Sequence, residues 1–200
     1  MIKTVIFDIG NVLTAFNWKG HFESFHYEKE IFDRIVAATV QNAAWNEYDR
    51  GVLTDDEVLE QFIKNDPGIE TQLRESLADI KNLLVRFDYA IPWIQDLKSK
   101  GYQVLVLSNF FHKAYVECSQ ALDFLPYTDG GILSYREKCI KPQPEIYQKL
   151  IEKYQLTPHE CVFIDDLQRN LDGAAAFGIH TILFQNQAQA IEDLKKLGVE

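Results

Sequence analysis

Cysteine is scarce in this chain. There are three in 200 residues, Cys118, Cys139 and Cys161, and no CxxC spacing among them. That excludes a zinc knuckle and a thioredoxin-type pair. An odd, low count suits a reducing compartment rather than a disulfide-stapled secreted domain. Positive charge is also in deficit, with Lys+Arg 20 against Asp+Glu 30 and a net charge of −10. The basic stripe needed for sequence-independent nucleic-acid binding is missing, and so is the attraction to an anionic membrane surface. No apolar run approaches the roughly 20 residues of a membrane span. Met1-Ile2-Lys3 leads straight into Thr4-Val5-Ile6-Phe7 with no signal core between, so a cytoplasmic protein is expected. Internal repeats, low-complexity tracts and Gly/Ser linkers are absent as well. No heptad or symmetric apolar patch marks an interface, so a monomer is expected.

What remains is an ordinary globular composition, 46% hydrophobic and 25% charged, long enough for one to two domains. An anionic substrate would meet a repelling long-range field, so a local positive group or a metal must hold it.

The chain carries short apolar runs that each end in polar residues. Ile2 to Phe7 ends in Asp8-Ile9-Gly10-Asn11, Val104 to Leu107 in Ser108-Asn109, Cys161 to Ile164 in Asp165-Asp166, and Thr181 to Phe184 in Gln185-Asn186. Near-continuous, β-branched runs of this length read as strands buried on both faces. Helical patterns lie between them: Pro92 to Lys100 before Gly101, Pro144 to Tyr154 with Glu145 in its first turn, and Leu167 to Phe177 before Gly178. Alternation of this kind predicts a parallel α/β sheet with right-handed crossovers. The ligand site of such a sheet lies beyond the carboxyl ends of its strands. Residues from about 16 to 87 break the rhythm and contain no convincing strand. Thr54-Asp55-Asp56-Glu57 reads as a capping box, with Leu53 and Val58 placed as a hydrophobic staple. The expected organisation is a core of residues 1–15 and 88–200 with a helical insertion at 16–87 above the carboxyl edge.

Asp8, Ser108, Lys141 and the Asp165-Asp166 pair are the candidate chemical groups. Singly, each has an ordinary reading: a turn or cap for Asp8, turn material for Ser108-Asn109, a solvated loop charge for Lys141. The adjacent carboxylates are harder to dismiss, because they repel each other and call for a nearby cation. Jointly the set makes chemical sense. A carboxylate can attack a phosphoryl group and split one hard step into two. Carboxylates plus a substrate phosphate suit Mg²⁺. A lysine and a serine hydroxyl can hold the transferring group.

The order Asp8-x-Gly10-Asn11-Val12, Ser108-Asn109, Lys141-Pro142-x-Pro144 and Asp165-Asp166-x-x-x-Asn170 resembles the haloacid dehalogenase superfamily over essentially the whole chain. The resemblance implies a Rossmann-like core with a C1-type helical cap. The Gly10-Asn11-Val12 variant, with Tyr48-Asp49-Arg50-Gly51 in the cap, is similar to bacterial sugar-phosphate phosphatases. It also resembles the phosphatase domain fused to some epoxide hydrolases. It implies Mg²⁺-dependent hydrolysis of a small phosphate ester through an aspartyl-phosphate. Asp8 matches the nucleophile and a metal ligand, and the Gly10 carbonyl a metal contact. Ser108, Asn109 and Lys141 match the phosphate-binding group, with Lys141 also steadying the nucleophile. Asp166 matches a direct ligand, Asp165 a ligand direct or through water, and Asn170 an outer position.

One departure matters. Where phosphatases of the superfamily carry a second Asp as general acid and base, this chain has Gly10. Either the leaving group needs little protonation, or another group such as His21, His26 or His112 substitutes, or the protein is a catalytically weak phosphate-ligand binder. The same absence occurs in the metal-independent 2-haloacid dehalogenases, which lack the paired acids kept here. Arg50 has two readings, a substrate contact or a solvated ion pair with Asp49 or Glu47. Phe16, Trp18, Phe22 and Phe25 either line the entrance of the helical insertion or form its core.

Overall fold

The four apolar runs become parallel strands of one sheet. The computed structural model describes residues 1–200. The chain opens with β1 (Thr4–Phe7) and β2 (Thr14–Phe16). Five helices follow: α1 (Trp18–Glu23), α2 (Lys29–Ala38), α3 (Ala44–Arg50), α4 (Asp55–Asn65) and α5 (Glu70–Ala78). Then come β3 (Leu84–Arg86), α6 (Ala90–Ser99), β4 (Gln103–Ser108), α7 (His112–Glu117), β5 (Gly131–Leu133), α8 (Ser134–Glu137) and α9 (Pro144–Tyr154). The last elements are β6 (Cys161–Asp165), α10 (Gln168–Ala175), β7 (His180–Leu183) and α11 (Gln187–Lys196). The main sheet has the order β5-β4-β1-β6-β7, with every neighbouring pair parallel. The molecule is therefore α/β, as the alternating pattern predicts. No helix is long and apolar enough to cross a membrane.

Side chains alternate across the sheet with the period of two that a strand imposes. Val5, Phe7, Val104, Val106, Val162 and Ile164 join an apolar cluster of 43 buried residues on one face. Ile6, Leu105, Leu107 and Phe163 join a cluster of 13 on the other. Burial on both faces is why these runs contain no polar interruption. Helix α9 begins with Pro144 at its first position, where the missing N–H is not needed, and ends at Gln155 in a left-handed conformation (φ 52°). Helix α6 starts two residues earlier than the Pro92 expected. Pro92 falls in its first turn, where the N–H would be unpaired anyway.

Three short strands depart from the expected pattern. Gly131 leads the edge strand β5, and a Cβ there would lie 2.2 Å from the Val106 carbonyl oxygen. Strands β2 and β3 pair antiparallel, Thr14 opposite Arg86 and Phe16 opposite Leu84. Residues 16–87 thus do contain strand at both ends. Three-residue strands are too short to display a period of two, which is why pattern reading passes over them. The ribbon they make carries α1 to α5 out from the sheet and back. The Thr54 capping box forms as expected: Glu57 N–H donates to Thr54 Oγ1 (3.2 Å) and Thr54 N–H to Glu57 Oε2 (2.8 Å). Trp45, Val58, Phe62 and Leu73 belong to the same apolar cluster as Val5 and Phe7. Tyr48 of α3 stacks on Phe111, which precedes α7, with ring centroids 4.1 Å apart.

Candidate active site

Strand β1 lies between β4 and β6, so the three carboxyl ends meet. They deliver Asp8, Ser108 and Asp165 side by side, with Asp166 one residue beyond. Lys141 arrives from the loop between α8 and α9. Asn109 fixes that loop: its Nδ2 donates to the Lys141 carbonyl (3.0 Å) and its Oδ1 accepts from the Lys141 N–H (2.7 Å). The Asn109 side chain thus holds Lys141, and Asn109 itself lines the cavity over the cluster. The lysine side chain is buried between two carboxylates, with Nζ 2.9 Å from Asp8 Oδ1 and 2.6 Å from Asp165 Oδ2.

Burial pushes the Asp8 carboxyl up to about 7, and the Asp165 charge adds to this, while Lys141 and the Ser108 hydroxyl pull it down. Burial opposes the charge on Lys141, but the fields of Asp8 and Asp165 outweigh it and raise the ammonium above its ordinary value. Asp166 is also raised, first by burial, against the pull of an Asn11 hydrogen bond. That bond runs from Asn11 Nδ2 to Asp166 Oδ2 (2.9 Å). Asn11 adopts φ 58° to make it, a conformation asparagine tolerates better than most residues.

Carboxylate oxygens of Asp8, Asp165 and Asp166 lie within 4.8 Å of one another. Against three negative groups stands a single ammonium, so the cluster retains a charge that a divalent cation would neutralise. Asp165 is fully buried and does not line the cavity. Its oxygens accept from Lys141, from Asn170 Nδ2 (3.0 Å to each) and from the Leu167 N–H (2.8 Å). A direct ligand role is thus less available to it than to Asp8 and Asp166, which do face the cavity. Asn170 holds Asp165 with its amide nitrogen and leaves Oδ1 buried without a partner. An unpaired buried acceptor is costly, and a water carried by a cation at the cluster would supply the donor. The all-oxygen donor set suits Mg²⁺. On both counts the residues fit the ion.

The cavity over this cluster holds 390 Å³. Its floor includes Asp8, Gly10, Ser108, Lys141 and Asp166. Its far wall comes from the helical segment and its ribbon, with Phe16, Gln41, Trp45, Asn46 and Asp49. A Cβ at Gly10 would meet nothing within 4 Å, so steric crowding does not explain the glycine. No histidine lines this cavity. His21 Nε2 is 2.7 Å from the Ser76 carbonyl oxygen, and His26 is exposed. His112 lines a separate cavity, with its ring 5.4 Å from that of Tyr135. The expected substitutes for the general acid are therefore not at the site. Arg50 is also elsewhere: Nη1 donates to Gln143 Oε1 (2.7 Å) and Nε pairs with Glu47 Oε2 (3.1 Å). The ion-pair reading of Arg50 is the one its geometry supports.

Asp49 is the group that pattern reading missed. It is buried, lines the cavity, and its carboxyl is pushed up to about 8 by burial and by the nearby charge of Asp8, against Lys141.

A family profile described as a haloacid dehalogenase-like hydrolase matches residues 2–178. The chain belongs to that family. That family is described as one of hydrolases, and the superfamily resemblance read from the four motifs holds. It is 28% identical over 214 residues to mouse acyl-CoA dehydrogenase family member 10, covering 98% of this chain and 19% of that protein. The chain spans about a fifth of the length of that relative and of mouse bifunctional epoxide hydrolase 2. Phosphatase MT3486 of Mycobacterium tuberculosis is 25% identical, with 98% of this chain and 95% of that one covered. A similar fold, with TM-score 0.71 and 22% identity, occurs in a HAD family enzyme of Bacteroides thetaiotaomicron solved with magnesium and inorganic phosphate. The match covers 92% of this chain and 95% of that one. (S)-2-haloacid dehalogenase 4A of Burkholderia cepacia is 28% identical over 60% of this chain and 52% of its own.

Proposed function

We propose that this hydrolase is a Mg²⁺-dependent phosphatase acting on a small phosphate monoester, with a sugar phosphate as the expected substrate class. The observation that carries the reading is the Asp8–Asp165–Asp166 cluster with Lys141 inside it. Three carboxylates around one ammonium are costly without a further cation and are suited to holding a phosphate with one. The far wall, amide side chains interleaved with Phe16 and Trp45, offers both hydrogen bonds and an apolar face to a polyol. Residues 16–87 act in this reading as a cap over a core of 1–15 and 88–200, excluding water from the reaction.

Asp8 and Asp166, with the Gly10 carbonyl, would hold the metal, and Asp165 would act on it through Lys141 and Asn170. When bound, Mg²⁺ neutralises charge between the anionic nucleophile and the anionic ester. Lys141 favours the ionised form of the Asp8 carboxyl and shares its positive charge with the transferring phosphoryl oxygens. Ser108 supplies a hydroxyl donor to the same oxygens. The Asp8 carboxylate oxygen forms a bond to phosphorus as the bond to the ester oxygen breaks, and the alcohol leaves with a proton. Water then attacks the aspartyl-phosphate, releasing inorganic phosphate and restoring the carboxylate.

The test is phosphate release from sugar phosphates and p-nitrophenyl phosphate, in Mg²⁺ and in EDTA, with Asp8→Asn as control. Metal-dependent turnover lost in the variant supports the reading. Halide release from a 2-haloacid in EDTA, with no phosphate release, replaces it with dehalogenation.

A further inference from the structure

Phosphoryl transfer to Asp8 needs a proton for the leaving alcohol, and the residue two beyond the nucleophile is Gly10, which has none to give. The opposite wall of the cavity supplies a candidate. Asp49 sits at the end of α3, buried, facing the same 390 Å³ space as Asp8. No protein donor hydrogen-bonds its carboxyl and no cation pairs with it, although its main chain is firmly tied. It stands outside the three-carboxylate cluster.

The position of Asp49 is fixed by the core rather than by its own helix. The Ser134 hydroxyl donates to the Asp49 carbonyl (2.6 Å). Arg50 Nη1 reaches Gln143 two residues beyond Lys141, and Lys138 Nζ donates to the Gly51 carbonyl. Gly51 turns left-handed (φ 67°) against Tyr135, where a Cβ would come within 2.6 Å of the tyrosine Cβ. These ties clamp the end of α3 onto α8 and the lysine loop. These contacts hold Asp49 on the cavity wall that it shares with Asp8.

Resting on the phosphatase reading, we propose that Asp49 is the general acid and base of this site. Its carboxylic acid protonates the ester oxygen as the phosphorus–oxygen bond breaks and the phosphoryl group passes to Asp8. The resulting carboxylate then takes a proton from the water that cleaves the aspartyl-phosphate, which restores the acid for the next cycle. Burial and the neighbouring charge of Asp8 raise the proton affinity of Asp49, which favours the acid form the first step requires. The general acid has in effect moved from the core strand to the cap helix.

The experiment compares Asp49→Asn with the wild type in Mg²⁺, on a sugar phosphate and on p-nitrophenyl phosphate, whose phenolate leaves without a proton. For the sugar phosphate, kcat/KM falls by about 10²–10⁴-fold. For p-nitrophenyl phosphate, kcat/KM changes by less than about tenfold, because it reports only the first step. Its kcat drops, and nitrophenolate appears in a burst equal to the enzyme concentration, because the aspartyl-phosphate now lacks its base. Adding Gly10→Asp, for which there is space, restores sugar-phosphate turnover in the Asp49→Asn background. Asp49→Ser runs beside it, so that a folding defect in one variant does not decide the result. Equal losses of kcat/KM on both esters, or no loss on either, overturn the assignment. A wild type that releases phosphate from no ester overturns the phosphatase reading, and this one with it.

Discussion

Lys141 is the residue whose removal the structure prices most clearly. Its ammonium lies 2.9 Å from Asp8 and 2.6 Å from Asp165. At an effective dielectric constant near 20, each contact is an attraction of about 6 kcal/mol. Much of this is offset by the several kcal/mol needed to bury the ammonium and its partners. Lys141→Met keeps the length of the side chain and removes only the charge, leaving two buried carboxylates facing each other. Losing one member of a buried ion pair typically costs about 3–5 kcal/mol. For a chain of this size that corresponds to a fall in Tm of roughly 6–20 °C.

The pH dependence sharpens the prediction. Burial already places Asp8 at about 7 with Lys141 beside it. Without the lysine, which pulls it down, Asp8 moves further up. A carboxyl whose folded value exceeds its unfolded value contributes stability that is lost as pH rises through the folded value. The variant can escape at pH 5 by protonating Asp8, and it does so far less at pH 8. Urea unfolding in EDTA, at pH 5 and at pH 8, measures both quantities. The gap between wild type and variant should be several kcal/mol at pH 8 and smaller at pH 5. A loss below about 1 kcal/mol at pH 8, or a gap that does not widen with pH, refutes the placement of Lys141 as the counterion of both carboxylates.

Mg²⁺ at about 100 times its Kd should stabilise the wild type by about 2.7 kcal/mol, and Asp166→Asn should abolish the shift in a thermal melt; an equal shift in both proteins places the ion elsewhere. Asp49, held at about 8 against an ordinary 3.8, makes the wild type lose stability as pH rises between those values. Asp49→Asn does not titrate, so its urea midpoint relative to the wild type should climb from pH 5 to pH 8, and a constant difference contradicts the burial of that carboxyl. Gly51→Ala forces a Cβ against Tyr135 at φ 67° and should cost roughly 1–3 kcal/mol. An unchanged Tm in Gly51→Ala shows that the end of α3 is not clamped to the core.

The sheet and the residues at its carboxyl edge are legible because one physical constraint acts on both. A parallel strand buried on two faces has to be apolar throughout, so β1, β4 and β6 stand out as uninterrupted runs. The first polar residue after each must then emerge at the same edge, which brings Asp8, Ser108 and Asp165 together. Short elements carry no such signature. Strand β5 has three residues led by a glycine, and its place is set by contact with β4 rather than by any internal pattern. Strands β2 and β3 are 68 residues apart at their Phe16–Leu84 pairing, and neither is long enough to alternate visibly.

Asp49 shows why a site can be half-readable. In the sequence it stands beside Arg50 on an acidic, polar helix, where an exposed ion pair is the natural expectation. Successive residues of a helix point about 100° apart, however. Arg50 turns to Glu47 and Gln143 while Asp49 turns to the cavity. Which of the two faces inward is decided by the docking of α3 on α8, through Ser134, 85 residues away in the chain. No local periodicity encodes that choice. His112 fails for the complementary reason: it follows Ser108 by four residues, yet α7 directs it toward Tyr135 and a different cavity. Proximity in sequence to a strand end predicts the site only for residues still at the strand end. Once the chain enters a helix, the tertiary docking of that helix decides. An acid supplied from such a helix reaches Asp8 only while the helix is docked, so the clamp at Gly51 and the proton transfer assigned to Asp49 should fail together.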